Sequence, residues 1–160
     1  MAIEFFISHS HADRQLAQAL VQFLIFGVGV EIKEIRCTSY VSTGLSTGTD
    51  IEQELRRDLR RSNYFVPLIT SNTESSEFVA FEIGAAWILE KKIVPVVFSR
   101  GVRPRIPTVL AKLLYADLTD QETLIRLASD LAFQIFVAAD RPPPPQVISA
   151  ARMFLASVQS

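Results

Sequence analysis

The run Tyr64-Phe65-Val66-Pro67-Leu68-Ile69, followed by Phe78-Val79-Ala80-Phe81-Glu82-Ile83-Gly84-Ala85-Ala86-Trp87-Ile88-Leu89, decides the fold. The first run is short, apolar and strand-like. The second lacks strand alternation and is long enough to be a helix. Glu82 is the only charge in that helix. A carboxylate is expensive to take out of water, so a lone one among apolar neighbours sits at the solvent edge or is held for a purpose.

The same strand–helix alternation continues on both sides. Upstream, Ile3–Ser8 is a short apolar run that stops at polar Ser8-His9-Ser10. Ser10-His11-Ala12-Asp13 has the spacing of a capping box. The helix it opens carries Leu16, Leu20, Phe23 and Leu24 on one face, and Gly27 and Gly29 are expected to end it. A second strand is expected over Lys33–Thr38, then a Ser/Thr/Gly loop over Ser39–Gly48. Thr49-Asp50-Ile51-Glu52 is a second capping box, with Ile51, Leu55 and Leu59 in one stripe and Arg56, Arg57, Arg60 and Arg61 largely outside it. Downstream, Ile93–Phe98 reads as strand four and Leu114–Ala116 as a short strand five. Thr119-Asp120-Gln121-Glu122 caps a last domain helix bearing Leu124, Ala128, Leu131 and Ile135.

Strands alternating with helices imply a parallel sheet with helices on both faces. Five such units predict an α/β, flavodoxin-like, five-stranded sheet in the order 2-1-3-4-5. Ligands of such sheets bind beyond the carboxyl ends of the strands, at the switch between strands one and three. Those ends are Ser8-His9-Ser10 and Thr70-Ser71, and Glu82 lies about two turns into the helix that starts beside them. The expected division is a domain over 1–140, a stiff proline-rich spacer over 141–146 that includes Pro142–Pro145, and an amphipathic helix over 147–160. That helix carries Val147, Ile148, Ala151, Phe154, Leu155 and Val158 on one face.

Composition excludes several classes. The chain has 160 residues and is 49% hydrophobic, so it is expected to form a globular domain that buries roughly 70% of its unfolded surface. A net charge of −1 gives no bulk attraction to nucleic acid or to an anionic membrane. No apolar stretch reaches the length of about 18 residues needed to span a bilayer, and no basic signal region opens the chain. One cysteine, Cys37, suits a reducing compartment, and a cytoplasmic location is expected. Two histidines and one cysteine cannot build a closed zinc site of the usual kind. The loop Gly44-Leu45-Ser46-Thr47-Gly48-Thr49-Asp50 lacks the lysine of a nucleotide-triphosphate loop. The acidic residues of a phospho-acceptor domain are missing from the strand ends. Cys37 reads as a buried structural thiol, Trp87 as core, and His9 and His11 as polar fill more readily than as a catalytic pair.

Three segments in order, Phe5-Phe6-Ile7-Ser8-His9-Ser10, the loop from Gly44 to Asp50, and Phe78 to Trp87, resemble the TIR (Toll/interleukin receptor) domain family, and its bacterial branch most closely. The likeness covers roughly residues 1–138. It implies the flavodoxin-like sheet already read from the alternation. It also implies cleavage of NAD at the nicotinamide–ribose bond, yielding nicotinamide with ADP-ribose or a cyclic isomer. NAD is then substrate, and no cofactor is needed. Glu82 matches the family's catalytic glutamate and Phe6 an aromatic position near the dinucleotide. Ser8, His9 and Ser10 match the loop bordering the pocket, and Ser39, Gly44 and Gly48 belong to the mobile loop after strand two. This loop departs from the family in lacking its usual proline and in having Tyr40 as its one clear aromatic. The partners implied are other TIR domains, in a homo-oligomer or filament that activates the enzyme in bacterial immune signalling. A non-catalytic TIR adaptor working through like-with-like contacts is the second reading, and another nucleoside-processing enzyme the third.

Overall fold

The computed structural model describes residues 3–37, 48, 50–136 and 144–159. Its elements are β1 (Ile3–Ser8), α1 (Arg14–Phe23), β2 (Ile35–Cys37), α2 (Ile51–Arg61), β3 (Ser62–Ile69), α3 (Glu77–Ile88), β4 (Lys92–Ile93), β5 (Val96–Val97), β6 (Ala116–Asp117), α4 (Gln121–Ile135) and α5 (Pro144–Gln159). All recorded strand pairs are parallel, in the order β2-β1-β3-β5-β6, with β4 also on β3. The expected order holds, with β4 and β5 as the two halves of expected strand four. Pro95 causes the break, because it has no N–H to give to the ladder. On either side of it, Val94 N–H donates to Phe65 O at 2.9 Å and Phe98 N–H to Ile69 O at 3.0 Å.

The pleat divides the core. Successive side chains of a strand face opposite ways. Phe5 and Ile7 join Tyr64, Val66 and Leu68 under α1, α4 and α5, whereas Phe6 joins Phe65 and Ile69 under α2 and α3. Phe5 stacks on Tyr64 with centroids 5.2 Å apart, and Phe6 on Phe65 at 6.0 Å. The same period sends Ser8 toward the α2–α3 side, and this decides where the site forms.

Several helix boundaries differ from the capping boxes read in the sequence. Ser10 precedes a 3₁₀ turn over His11–Asp13, and its hydroxyl donates to the Asp13 carboxylate instead of accepting from the backbone. Thr49 lies outside the described residues. Asp50 caps α2, accepting from Gln53 N–H at 3.2 Å. Asp120 caps α4, accepting from both N–H and Oγ1 of Thr123. Aspartate caps at least as well as threonine, so each helix begins where the aspartate falls. Beyond α1 the chain continues as a π-helical turn over Leu24–Val28, and Gly29 ends it with φ 87°. Strand two is shorter than expected, since Ile32–Glu34 forms a 3₁₀ turn, and its expected end at Thr38 lies outside the described residues. Leu114 is 98% exposed and the last strand starts at Ala116.

Helix α5 starts at Pro144, so the last two prolines of the expected spacer belong to the helix. Proline suits the first helical turn, where an N–H has no partner to lose. Val147, Ala150, Ala151, Phe154 and Val158 are buried in the core beneath α1 and α4. Close approach requires Gly27: a Cβ there would stand 3.2 Å from the Ala150 Cβ. The amphipathic face read from the sequence therefore docks on α1, α4 and the Leu24–Val28 turn of its own domain.

Candidate active site

The site is built where β1 leaves the sheet. Ser8 is the last residue of β1 and its side chain turns toward α3. Its hydroxyl donates to Glu82 Oε2, joining two residues 74 apart in the chain. Glu82 is only 4% exposed, and its other oxygen, Oε1, has no hydrogen-bond partner among the described residues. Burial pushes its carboxyl up to about 8, and the hydrogen bond from Ser8 lowers it by less. A buried carboxyl that keeps one oxygen unpaired is costly, so the local fold is held against it by the packing around it. Perturbed groups of this kind cluster at functional sites.

Glu82 lines a cavity of about 480 Å³ between α2 and α3. Phe6 and Leu55 form apolar wall, Phe78 and Phe81 come from α3, and Glu52, Arg56 and Glu77 supply charge. Phe6 shares this wall but has no exposed surface, and it stands two residues before the end of β1. Its truncation removes a fully buried ring, so Phe6→Ala is expected to cost about 3–5 kcal/mol of stability, checked by denaturant unfolding. A second cavity, of about 380 Å³, lies between α1 and α5 and is lined by Gln15, Gln18 and Gln22 with no ionisable group among its lining residues.

His9 and Ser10 do not line the Glu82 cavity. They are buried beside it in a polar hub centred on Asp13. The Asp13 carboxylate accepts from Ser10 Oγ at 3.0 Å, Thr70 Oγ1 at 2.5 Å and Asn72 Nδ2 at 2.8 Å. The hub ties the exit of β1 to the exit of β3 and fixes the backbone that carries Ser8. His9 Nδ1 lies 2.6 Å from Ser10 O, which makes Nδ1 the protonated nitrogen. His9 Nε2 is buried without a partner among the described residues, and burial lowers the ring's pKa, favouring the neutral form. His11, by contrast, is exposed. Of the loop residues, Ser39 and Gly44 lie outside the described residues, and Gly48 is exposed with φ +90°, a conformation that favours glycine.

The hub and the α2 wall are absent from the sequence reading. The sequence spacing gives Asp13 a capping role only, and its long-range partners leave no local trace. Trp87 corrects the expectation of core, being 62% exposed. Among the described residues no helix is long and apolar enough to cross a membrane.

A parallel α/β domain with the buried carboxylate of Glu82 lining a cavity beside the end of β1 defines the class. Residues 5–128 match the TIR domain family, and the chain belongs to that family. A Bacillus subtilis (strain 168) relative, named uncharacterized protein YddK, is 31% identical over 83 residues. The match spans 52% of this chain and 31% of that protein. Among solved structures, the TIR domain of the Toll-related receptor TRR-2 from Hydra magnipapillata superposes with a TM-score of 0.59 at 14% identity, covering 81% of this chain and 94% of that one. The TIR domains of the activated Roq1 resistosome recognising the effector XopQ give a TM-score of 0.49 at 14% identity, over 99% of this chain and 84% of that one.

Proposed function

We propose that this TIR domain cleaves NAD at the nicotinamide–ribose bond, with Glu82 as its catalytic carboxylate. The observation that carries the proposal is Glu82, buried in the lining of a cavity beside the end of β1, held by Ser8, and with Oε1 unpartnered among the described residues. Ordinary glycoside cleavage uses two carboxyl groups, one of them an acid for the leaving group. Nicotinamide in NAD is already a cation and departs neutral, so no acid is required. What develops is positive charge on the ribose, and one nearby carboxylate stabilises it. Ser8 orients that carboxylate. His9 and Ser10 act from the hub, which holds the backbone that carries Ser8.

Raised to about 8, the Glu82 carboxyl is mostly protonated at neutral pH in the free protein. A bound cationic nicotinamide riboside favours the carboxylate, so binding expels the proton. The expected result is a kcat/KM for NAD that rises with pH and levels above about 8. Nicotinamide release measured across pH checks it, and a profile flat through that range contradicts Glu82 as the group that must ionise.

A second reading, a non-catalytic adaptor acting by contacts between copies, is favoured by the apolar face that α3 leaves exposed, including Phe81, Trp87 and Ile88. In the catalytic reading the same face brings copies together and raises activity, as part of an assembly serving bacterial immune signalling. The two readings separate on nicotinamide release as protein concentration is raised. Release whose specific rate climbs with concentration supports assembly-controlled cleavage; concentration-dependent association with no release supports the adaptor.

A further inference from the structure

We infer that the turn before β6 is a membrane-contact surface, with Val109, Leu113 and Leu114 entering an anionic bilayer and Arg103, Arg105 and Lys112 meeting its headgroups. This surface shares no residue with the Glu82 cavity and does not depend on the NAD-cleaving reading. The net charge of −1 conceals an uneven distribution. From Lys91 to Ala116 the chain carries six basic residues and no acidic one. Everywhere else ten basic residues stand against 17 acidic ones, so the remainder carries −7. Charges are screened over about 8 Å at physiological ionic strength. The basic segment therefore attracts an anionic surface locally, although the protein as a whole does not.

The fold fixes how this segment is displayed. Leu110 is buried in the core cluster under α2 and α3, and Ile106 and Tyr115 pack against the same cluster. Between these anchors the backbone closes a tight turn. Leu110 N–H donates to Pro107 O at 2.9 Å, Ala111 N–H to Thr108 O at 3.2 Å and Leu113 N–H to Leu110 O at 2.9 Å. With Leu110 pointing inward, the other apolar side chains point out: Val109 and Leu113 are exposed, and Leu114 is 98% exposed. Arg103 is drawn to the same place, because its guanidinium lies 5.4 Å from the centroid of the Tyr115 ring, next to Leu114 in the chain. Arg105 and Lys112 are exposed and form no ion pair among the described residues.

A bilayer fits this surface better than another macromolecule does. Exposed apolar residues scattered singly are ordinary. Three of them within six residues, on a turn anchored from below, form a patch. Leu114 stands almost wholly clear of the protein, so no groove surrounds it, and a bilayer asks for no complementary shape. Apolar side chains seat at the boundary between headgroups and acyl chains, while neighbouring cations stay among the headgroups. Each such cation strengthens binding about fivefold. A nucleic acid would engage the cations and leave the leucines in water.

The test is flotation of the full chain with vesicles of phosphatidylcholine alone and of phosphatidylcholine mixed with phosphatidylserine. Wild type is compared with Leu113→Ser/Leu114→Ser and with Arg103→Gln/Arg105→Gln/Lys112→Gln. Trp87→Ser/Ile88→Ser serves as the control on the exposed face of α3, and circular dichroism establishes that each variant is folded. Wild type floating only with the phosphatidylserine vesicles, partition weakened at least about tenfold in each of the first two variants, and a control that binds like wild type support the inference. Raising the salt toward about 1 M, where screening acts over about 3 Å, is expected to weaken wild-type binding as well. The inference is overturned by wild type that does not float, or that floats equally with both vesicles. It is overturned equally by flotation that either turn variant leaves unchanged or that the α3 control abolishes. So is it by self-association, measured by light scattering, that the turn variants lose while no vesicle binds, which makes the turn a contact between copies. Should the leucine variant not fold, the cation variant carries the same readout.

Discussion

Wild-type protein is expected to lose stability relative to Glu82→Gln as pH rises from about 5 to about 8.5. The cause is the carboxyl whose pKa moves from 4.5 to about 8 on folding. An acid raised in this way holds its proton more tightly in the folded state than in the unfolded one. Between those two values the folded protein carries the extra proton, so stability falls as pH increases. Below about 4.5 both states are protonated and no penalty remains. Above about 8 the full cost is present, on the order of 4–5 kcal/mol at about 1.4 kcal/mol per pKa unit. Glutamine has no proton to lose. It leaves amide hydrogens without an obvious acceptor beside Ser8, which costs about 1–3 kcal/mol at every pH. The informative quantity is therefore the change in the difference with pH. Urea unfolding of both proteins over that range measures it, and parallel pH profiles contradict a carboxyl kept neutral by burial.

Asp13→Ala is expected to destabilise the protein by about 3–5 kcal/mol. Three donors, Ser10 Oγ, Thr70 Oγ1 and Asn72 Nδ2, converge on one buried carboxylate. Removing it strands buried donors from both strand exits at once, and leaving such groups unpaired costs more than the bonds themselves add. Because the hub fixes the backbone of Ser8-His9-Ser10, the variant is also expected to loosen the Ser8–Glu82 contact. Asp13→Asn keeps the shape and part of the hydrogen bonding, so its loss should be smaller. Denaturant midpoints check both, and a loss below about 1 kcal/mol for alanine contradicts a hub role.

How far the sequence reveals all this depends on whether a property is local. Strands β1 and β3 were legible because continuous apolar runs mark strands buried on both faces. Pro95 marks the break in the fourth strand, yet its effect depends on which neighbour would have received the missing N–H. In α3 the apolar residues run all round the helix, so no face is encoded. That is why Trp87 was expected inside and lies outside, and why the burial of Glu82 was not decided by pattern. Glu82 stood out as a lone charge, but its partner Ser8 follows only from the pleat of β1 and the placement of α3 on that face. Asp13 was legible as a capping residue. Its bonds to Thr70 and Asn72 span 57 and 59 residues, and separations of that size are fixed by the sheet order. The docking of α5 was half legible: its apolar stripe was plain, but Gly27, which lets it approach, lies on the opposite element.

The most direct measurement is nicotinamide released from NAD by concentrated wild-type protein and by Glu82→Gln at equal concentration, with circular dichroism to establish that both are folded. Release by wild type, reduced at least about a hundredfold in Glu82→Gln, is the expected result. Comparable release by the two folded proteins, or none by wild type at any concentration, would contradict Glu82 as the catalytic carboxylate of an NAD-cleaving domain.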